Sequence, residues 1–305
     1  MEGTRSRRRA KSAMIRSAQL RSGKGARDEN FPVASWLIKP EHRPVILAFY
    51  EFVRVADDIA DHSELASVEK IARLDRLEGS LLGTADNEPE GVALRAILNN
   101  RGLSPRHAQD LLDAFRQDAT KHRYASWDEL TDYCSRSAMP VGRFVLDVHA
   151  ESRDTWPASD ALCAALQIIN HLQDCAADYR TLDRVYIPLD ALAASGASVE
   201  GLGDKQASPA LKDCLRGLTV RTAALLQQSH GLAASVSDTR LGLEISVIQS
   251  LATRLLAILR VRDPLSESVH LTKTEALVTA VTGSARAILR RLLRTMAPTH
   301  RYQTP

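Results

Sequence analysis

The stretch Tyr50-Glu51-Phe52-Val53-Arg54-Val55-Ala56-Asp57-Asp58-Ile59-Ala60-Asp61 sets Asp57 and Asp61 four residues apart in a largely apolar run. A second stretch, Gln167-Ile168-Ile169-Asn170-His171-Leu172-Gln173-Asp174-Cys175-Ala176-Ala177-Asp178, does the same with Asp174 and Asp178. On a helix, residues four apart stack on one face. Tyr50, Arg54, Asp57 and Asp61 therefore form one nearly straight polar line, and Gln167, Asn170, Asp174 and Asp178 form another, each about 16 Å long. The flanks are apolar nearly all round: Val45, Ile46, Leu47, Phe49, Phe52, Val53, Val55 and Ile59 for the first, and Leu162, Ala165, Leu166, Ile168, Ile169 and Leu172 for the second. Helices of that kind are buried, and a row of carboxylates on a buried helix needs a counter-charge or a wet cavity. The spacing predicts an interior cavity lined by acids.

Working outward, nearly every periodic segment is helical and rich in Ala, Leu and Arg, while the β-branched alternation of strands is missing. The fold class is all-α, with about nine or ten helices. Breaks are expected at Pro40 to Pro44, Ala85 to Gly91, Asn99 to Pro105, Trp156-Pro157, Arg180 to Pro209, Ser235 to Asp238 and Asp263-Pro264. The segment from Arg180 to Pro209 is long for a loop, which suggests a functional role. The expected organisation is a basic tail (1–27), one all-α domain (28–295) and a short C-terminal tail (296–305).

The net charge of +3 conceals an asymmetry, because residues 1–27 hold nine Lys or Arg and one acid, Glu2. The remainder carries 31 basic against 36 acidic residues, a formal −5, which argues against nucleic acid as a partner. The basic tail reads as a solvated leader, with adhesion to an anionic membrane and an organellar transit peptide as alternatives. No uncharged apolar run of 18 residues occurs. Cys134, Cys163, Cys175 and Cys214 form no CxxC pair, so buried reduced thiols and a cytoplasmic location are expected. The basic stretch Arg286 to Arg294 reads as a solvated face rather than a membrane-facing edge.

Four carboxylates converging on one cavity repel one another unless multivalent cations or protons intervene. Oxygen-only donors select hard cations, above all Mg²⁺, held jointly by carboxylates and substrate phosphates. Zinc would want His or Cys at matching spacing, and His171, one position off the line, reads as a hydrogen-bonded helix residue. A di-iron bundle would carry Glu-x-x-His, which these stripes lack. Metal with diphosphate would permit ionisation of an allylic or cyclopropylcarbinyl ester to a carbocation. Arg54 and Arg184 are placed to contact the diphosphate.

These residues resemble the squalene and phytoene synthases of the trans-isoprenyl diphosphate synthase fold. Tyr50, Arg54, Asp57, Asp58 and Asp61 look like the family's first motif, a Tyr and Arg followed by DDxxD. Gln167, Asn170, Asp174 and Asp178, then Arg184, Tyr186 and Pro188, look like its second. Tyr133, Cys134, Ala138, Val141 and Gly142 look like a third segment. The match is nearer to the bacterial hydroxysqualene synthase branch of hopanoid-type squalene biosynthesis, through Asn30 to Ser35, Ser137 to Arg143 and Asn170 to Asp174. The chain departs from many relatives at Glu29 and Asn30, where they carry Ser and Lys, and at Met139 and Pro140.

The resemblance implies a helical bundle around a central cavity and conversion of presqualene diphosphate to hydroxysqualene with release of diphosphate. It implies Asp57, Asp61, Asp174 and Asp178 as ligands of Mg²⁺. Tyr50, Arg54, Tyr133 and Asn170 are then the catalytic residues, and Arg54, Asp58, Gln167, Arg184 and Tyr186 bind substrate. Tyr133 would stabilise cationic charge or orient water. No glycine-rich nucleotide fingerprint follows a strand, so no nicotinamide cofactor is expected. Alternatives are a condensing head-to-head prenyl synthase making presqualene or phytoene diphosphate, and a non-catalytic helical assembly factor. Expected partners are the prenyl diphosphate, companion enzymes of squalene biosynthesis and a peripheral contact at the inner membrane face.

Overall fold

A computed structural model describes residues 37–296. The basic tail of residues 1–27, the departure at Glu29 and Asn30, the match at Asn30 to Ser35 and residues 297–305 lie outside those described residues. So do the side chains of Arg286, Arg290, Arg291 and Arg294.

The chain folds as α1 (Arg43–Asp61), α2 (Ser67–Leu82), α3 (Pro89–Arg101), α4 (Arg106–Asp118), α5 (Trp127–Ser137), α6 (Met139–Val148), α7 (Trp156–Leu182), α8 (Leu189–Ser195), α9 (Pro209–Gln228), α10 (Leu232–Ser235), α11 (Thr239–Leu259) and α12 (Lys273–Met296). Ten of these reach ten residues, and among the described residues the sole β pairing is an isolated parallel bridge between Arg123 and Val185. The break expected around Trp156-Pro157 is present: α6 ends at Val148 and Trp156-Pro157 opens α7, where a proline in the first turn costs no helical hydrogen bond. The stretch from Arg180 to Pro209 is not one long loop: α7 runs on to Leu182, and α8 and a 3₁₀ turn at Glu200–Gly203 follow.

Two apolar clusters divide the molecule. One joins Val45, Phe49 and Phe52 of α1 to Leu74, Leu77, Leu94, Leu111 and Leu112 of α2 to α4, with Phe144 of α6. The other gathers α5, α7, α9 and α11 around Leu162, Ile168, Ile169 and Leu172. Helix α1 packs on α2, α3 and α4, and α7 packs on α5, α6, α9 and α11. Each acid stripe thus belongs to a different half. Helix α6 serves both halves, and Gly142 lets it approach α7: a Cβ there would lie 2.4 Å from Ser159 Oγ and 2.6 Å from Cys163 Sγ.

Helix α11 is long and apolar enough to cross a membrane, yet it packs on α7, α9, α10 and α12 and buries Glu244. Cys134, Cys175 and Cys214 are buried, Cys163 is half-buried, and all four are free thiols. Helix α12 leaves Leu277, Val278, Val281 and Ile288 exposed.

Candidate active site

On α1 the apolar residues Phe49, Phe52, Ala56, Ile59 and Ala60 beside the stripe are buried. The stripe itself, Tyr50, Arg54, Asp57 and Asp61, stays part-exposed. Helix α7 repeats the pattern, with Ile168, Ile169, Leu172, Cys175 and Ala176 buried and Gln167, Asn170, Asp174 and Asp178 part-exposed. Each polar line keeps partial solvent access among buried apolar neighbours, and Asp178 feels Asp61 of the other line, so the two lines face a common polar cleft; Leu47 and Glu51 of α1 and Ala177 of α7 are exposed as well. Asp57 keeps 36% of its side-chain surface although protein encloses it on nearly every side.

The acids feel one another across that cavity. Burial, then the negative charge of Asp61, pushes Asp57 up to about 7 in spite of Arg54. Burial, then Asp174 and Asp61, pushes Asp178 up to about 7. Arg54 donates to Asp57 Oδ2 at 2.9 Å and to Asp58 Oδ1 at 3.3 Å.

Arg184 crosses from one half to the other. Its guanidinium is buried, donates to Asp61 Oδ1 at 2.5 Å and to the Ala60 carbonyl at 2.9 Å, and is held firmly protonated by Tyr186, Asp118 and Asp61 against its desolvation. What positions it is the segment after α7. Asp183 caps α7 in the left-handed region, φ 51°, which Asp tolerates better than most residues. Arg123 donates to the Asp183 carboxylate at 2.6 Å. Val185 N–H donates to the His122 carbonyl at 2.9 Å and Leu189 N–H to the Tyr124 carbonyl at 2.9 Å, so residues 183–190 run beside 122–125.

That pairing brings Tyr186 beside Tyr124 and Tyr133 and exposes a residue the sequence reading missed, Asp118. Asp118 is buried at the end of α4 and accepts the hydroxyls of Tyr133 at 2.6 Å and Tyr186 at 3.2 Å. Burial raises it to about 6, with Asp61 adding to the push and Arg184 and the Tyr133 hydrogen bond opposing it. Its one sequence signal is register: Leu111, Ala114 and Asp118 share the buried face of α4. Tyr124, also missed, stacks on Tyr186 at 5.5 Å and takes a hydrogen bond from Gln117 at 3.1 Å. His171, expected as a hydrogen-bonded helix residue, is buried and 3.2 Å from Gln167, stacked on Tyr186 with ring centroids 3.6 Å apart, and burial followed by Arg184 lowers it to about 3, so it is neutral.

The structure brings Asp57, Asp61, Asp174, Asp178, Asp58, Arg54, Arg184 and Tyr186 into this region, and Tyr133 lies one ring behind Asp118. The donors fit a hard divalent cation: they are carboxylate oxygens, and at Asp57 and Asp178 burial and then neighbouring carboxylates raise the proton affinity, which added positive charge relieves. A different trio, His42, His149 and Asp238, brings ligand atoms within 4.8 Å of one another. There the cations come from the chain itself, Lys39 at 3.0 Å from Asp238 Oδ2 and Arg101 at 3.2 Å from His42 Nδ1. Burial opposes the Asp238 charge, but bonds from Lys39, His149 and two backbone N–H groups hold it far below the usual range. This is an ion-paired knot tying the starts of α1 and α11 to the end of α6.

Comparison with known proteins agrees with the geometry. A hydroxysqualene synthase of Rhodopseudomonas palustris is 59% identical over 278 residues, covering 91% of this chain and 95% of that one. One of Sinorhizobium fredii is 56% identical over 265 residues, 87% and 91% of the two chains. A squalene synthase structure from Alicyclobacillus acidocaldarius superposes with a TM-score of 0.68 at 29% identity, covering 82% of this chain and 93% of that one. Residues 25–275 match the family model described as squalene/phytoene synthase. Two acid-striped helices facing one cavity, in an all-α terpenoid synthase fold and under a match of that extent, make this chain a member of the squalene/phytoene synthase family.

Proposed function

We propose that the protein converts presqualene diphosphate to hydroxysqualene and releases diphosphate. The observation that carries this reading is the pair of part-exposed acid rows on buried helices, bridged by Arg184. The hydroxysqualene synthases at 56–59% identity support the choice of step.

Asp57, Asp61, Asp174 and Asp178 are the residues to hold Mg²⁺, whose role there is to neutralise the departing diphosphate. Arg54, anchored on Asp57 and Asp58, and Arg184, anchored on Asp61, turn guanidinium charge toward the same end of the cavity. Tyr50, Tyr186, Asn170 and Asp58 complete the polar end. The carbon–oxygen bond breaks with its electron pair going to diphosphate. The cyclopropylcarbinyl cation rearranges, water adds, and the proton leaves with the released diphosphate. Tyr124, Tyr133 and Tyr186 stack on one another as a buried wall behind the polar end, with His171 covering a face of Tyr186. Asp118 accepts both the Tyr133 and Tyr186 hydroxyl protons, which fixes those rings.

A cytoplasmic location with peripheral membrane contact accompanies this reading. A very apolar product needs a lipid destination, and the exposed apolar side chains of α12 supply a face for it. The test incubates purified protein and Mg²⁺, without nicotinamide, with presqualene diphosphate or farnesyl diphosphate. Hydroxysqualene from presqualene diphosphate alone supports the proposal. Consumption of farnesyl diphosphate makes the enzyme a condensing synthase, and inertness toward both favours a non-catalytic role.

A further inference from the structure

The reaction proposed above ends with water adding to a carbocation, which requires a group to hold that water, and the hydroxyl of Tyr133 is committed to Asp118. Gln167 and His171 stand one turn apart on α7, with Gln167 Nε2 and His171 Nε2 3.2 Å from each other. With the amide nitrogen of Gln167 turned toward the ring, the imidazole Nε2 accepts and the ring proton sits on Nδ1. That contact uses the N–H end of the Gln167 amide and leaves the carbonyl oxygen as the end that can accept from a further partner.

His171 is itself clamped. Its ring lies within 16° of parallel to Tyr186, and Tyr186 is held through its hydroxyl on Asp118. A buried, neutral imidazole in that position does not compete with the substrate for the acids. Gln167, by contrast, is part-exposed on the cavity line, about 10 Å along α7 from Asp174 at 1.5 Å per residue. With the diphosphate at the acid end, a hydrocarbon lying along the same line passes Gln167, while Ile168 and Ile169 belong to the core.

We infer that the Gln167–His171 pair holds the water that captures the carbocation. Gln167 touches the water through its carbonyl oxygen, and His171 is the positioning residue that fixes the amide. The inference rests on the water-adding reading of the reaction. The oxygen–carbon bond forms from a water lone pair, and the proton lost from the adduct goes to the released diphosphate. His171 takes no proton.

The experiment measures alcohol formed per diphosphate released, from presqualene diphosphate and Mg²⁺ in ¹⁸O-water. Variants are His171→Phe, which keeps a stacking ring and removes the acceptor, His171→Gln, which restores an acceptor, and Gln167→Leu. A merely structural loss slows both quantities together and leaves their ratio alone. The expected result is an alcohol-to-diphosphate ratio at least about fivefold lower in His171→Phe and Gln167→Leu. Polyene hydrocarbons formed by proton loss should make up the balance, and His171→Gln should recover part of the ratio. Gln167→Leu carries the test if His171→Phe does not fold. An unchanged ratio, with wild-type protein making labelled alcohol, overturns the inference alone. Wild-type protein that makes no alcohol overturns the reading of the reaction and the inference with it.

Discussion

Helices α1 and α7 carry matching rows of acid but balance them differently. Helix α1 brings its own cation: Arg54, one turn before Asp57, donates to both Asp57 and Asp58. The cation that lowers Asp178 is Arg184, which lies beyond the end of α7 and is bonded to Asp61 of the opposite helix. Helix α1 thus balances Asp57 and Asp58 within itself, whereas Asp61 and the α7 row share Arg184, whose bond to Asp61 forms only once the halves have met. Similar sequence patterns can therefore differ in what they require of the rest of the fold.

The sharpest way to break the comparison is to remove one acid from each row. Asp57→Ala and Asp174→Ala should each lower turnover of presqualene diphosphate at least about 1,000-fold, because both rows face one diphosphate. A loss in one row only would mean that the other is structural. Next come the cations. Arg184→Gln should cost about 2 kcal/mol of stability by denaturant unfolding, less than for a fully buried pair because Asp61 is 40% exposed. Arg54→Gln should cost well under half as much, since its pairs lie within one helix.

The acids also set a pH dependence. Asp57 and Asp178 have raised affinities, to about 7, so their contribution favours the folded protein at low pH and is lost as pH rises through 7. Without metal, the melting temperature should fall between pH 5 and pH 8. Mg²⁺ should restore it more at pH 8 than at pH 5. Asp57→Asn should melt higher than wild type at pH 8 without metal; a lower value would break the argument from repulsion. Gly142→Ala should cost about 1–3 kcal/mol through the close contacts of its new Cβ with Ser159 and Cys163. The smallest effect is expected at the surface: Val281→Glu, on the exposed face of α12, should reduce co-sedimentation with anionic vesicles and leave unfolding unchanged.

The two rows were legible in the sequence because helical periodicity turns spacing into a face, and an apolar surround turns that face inward. The all-α class followed from the same periodicity. Asp118 was not legible as part of the site, because a single carboxylate within Arg116-Gln117-Asp118-Ala119 looks like solvated surface until Tyr133 and Tyr186 are seen to meet it. Arg184 was placed by its position after the second row, but its burial was not, because that depends on residues 183–190 lying along 122–125. Pairings between segments some 60 residues apart leave no periodic trace. Trp156-Pro157 was legible as a boundary because proline fits the first turn of a helix and not its interior.

The Arg184 to Asp61 bond spans 123 positions of the chain. At a ribosomal rate of roughly 5–20 residues per second, Asp61 waits on the order of 6–25 s after its own synthesis before its partner is made. During that interval the nascent amino-terminal half has Arg54 to temper its own row. The carboxy-terminal row never faces such a wait, because Asp61 and Asp118 are already translated when Arg184 emerges a few residues behind Asp178. Vectorial synthesis therefore favours the row that carries an internal cation, Arg54, coming first. A circular permutant that makes residues 150–260 ahead of α1 should yield less soluble protein than the native order.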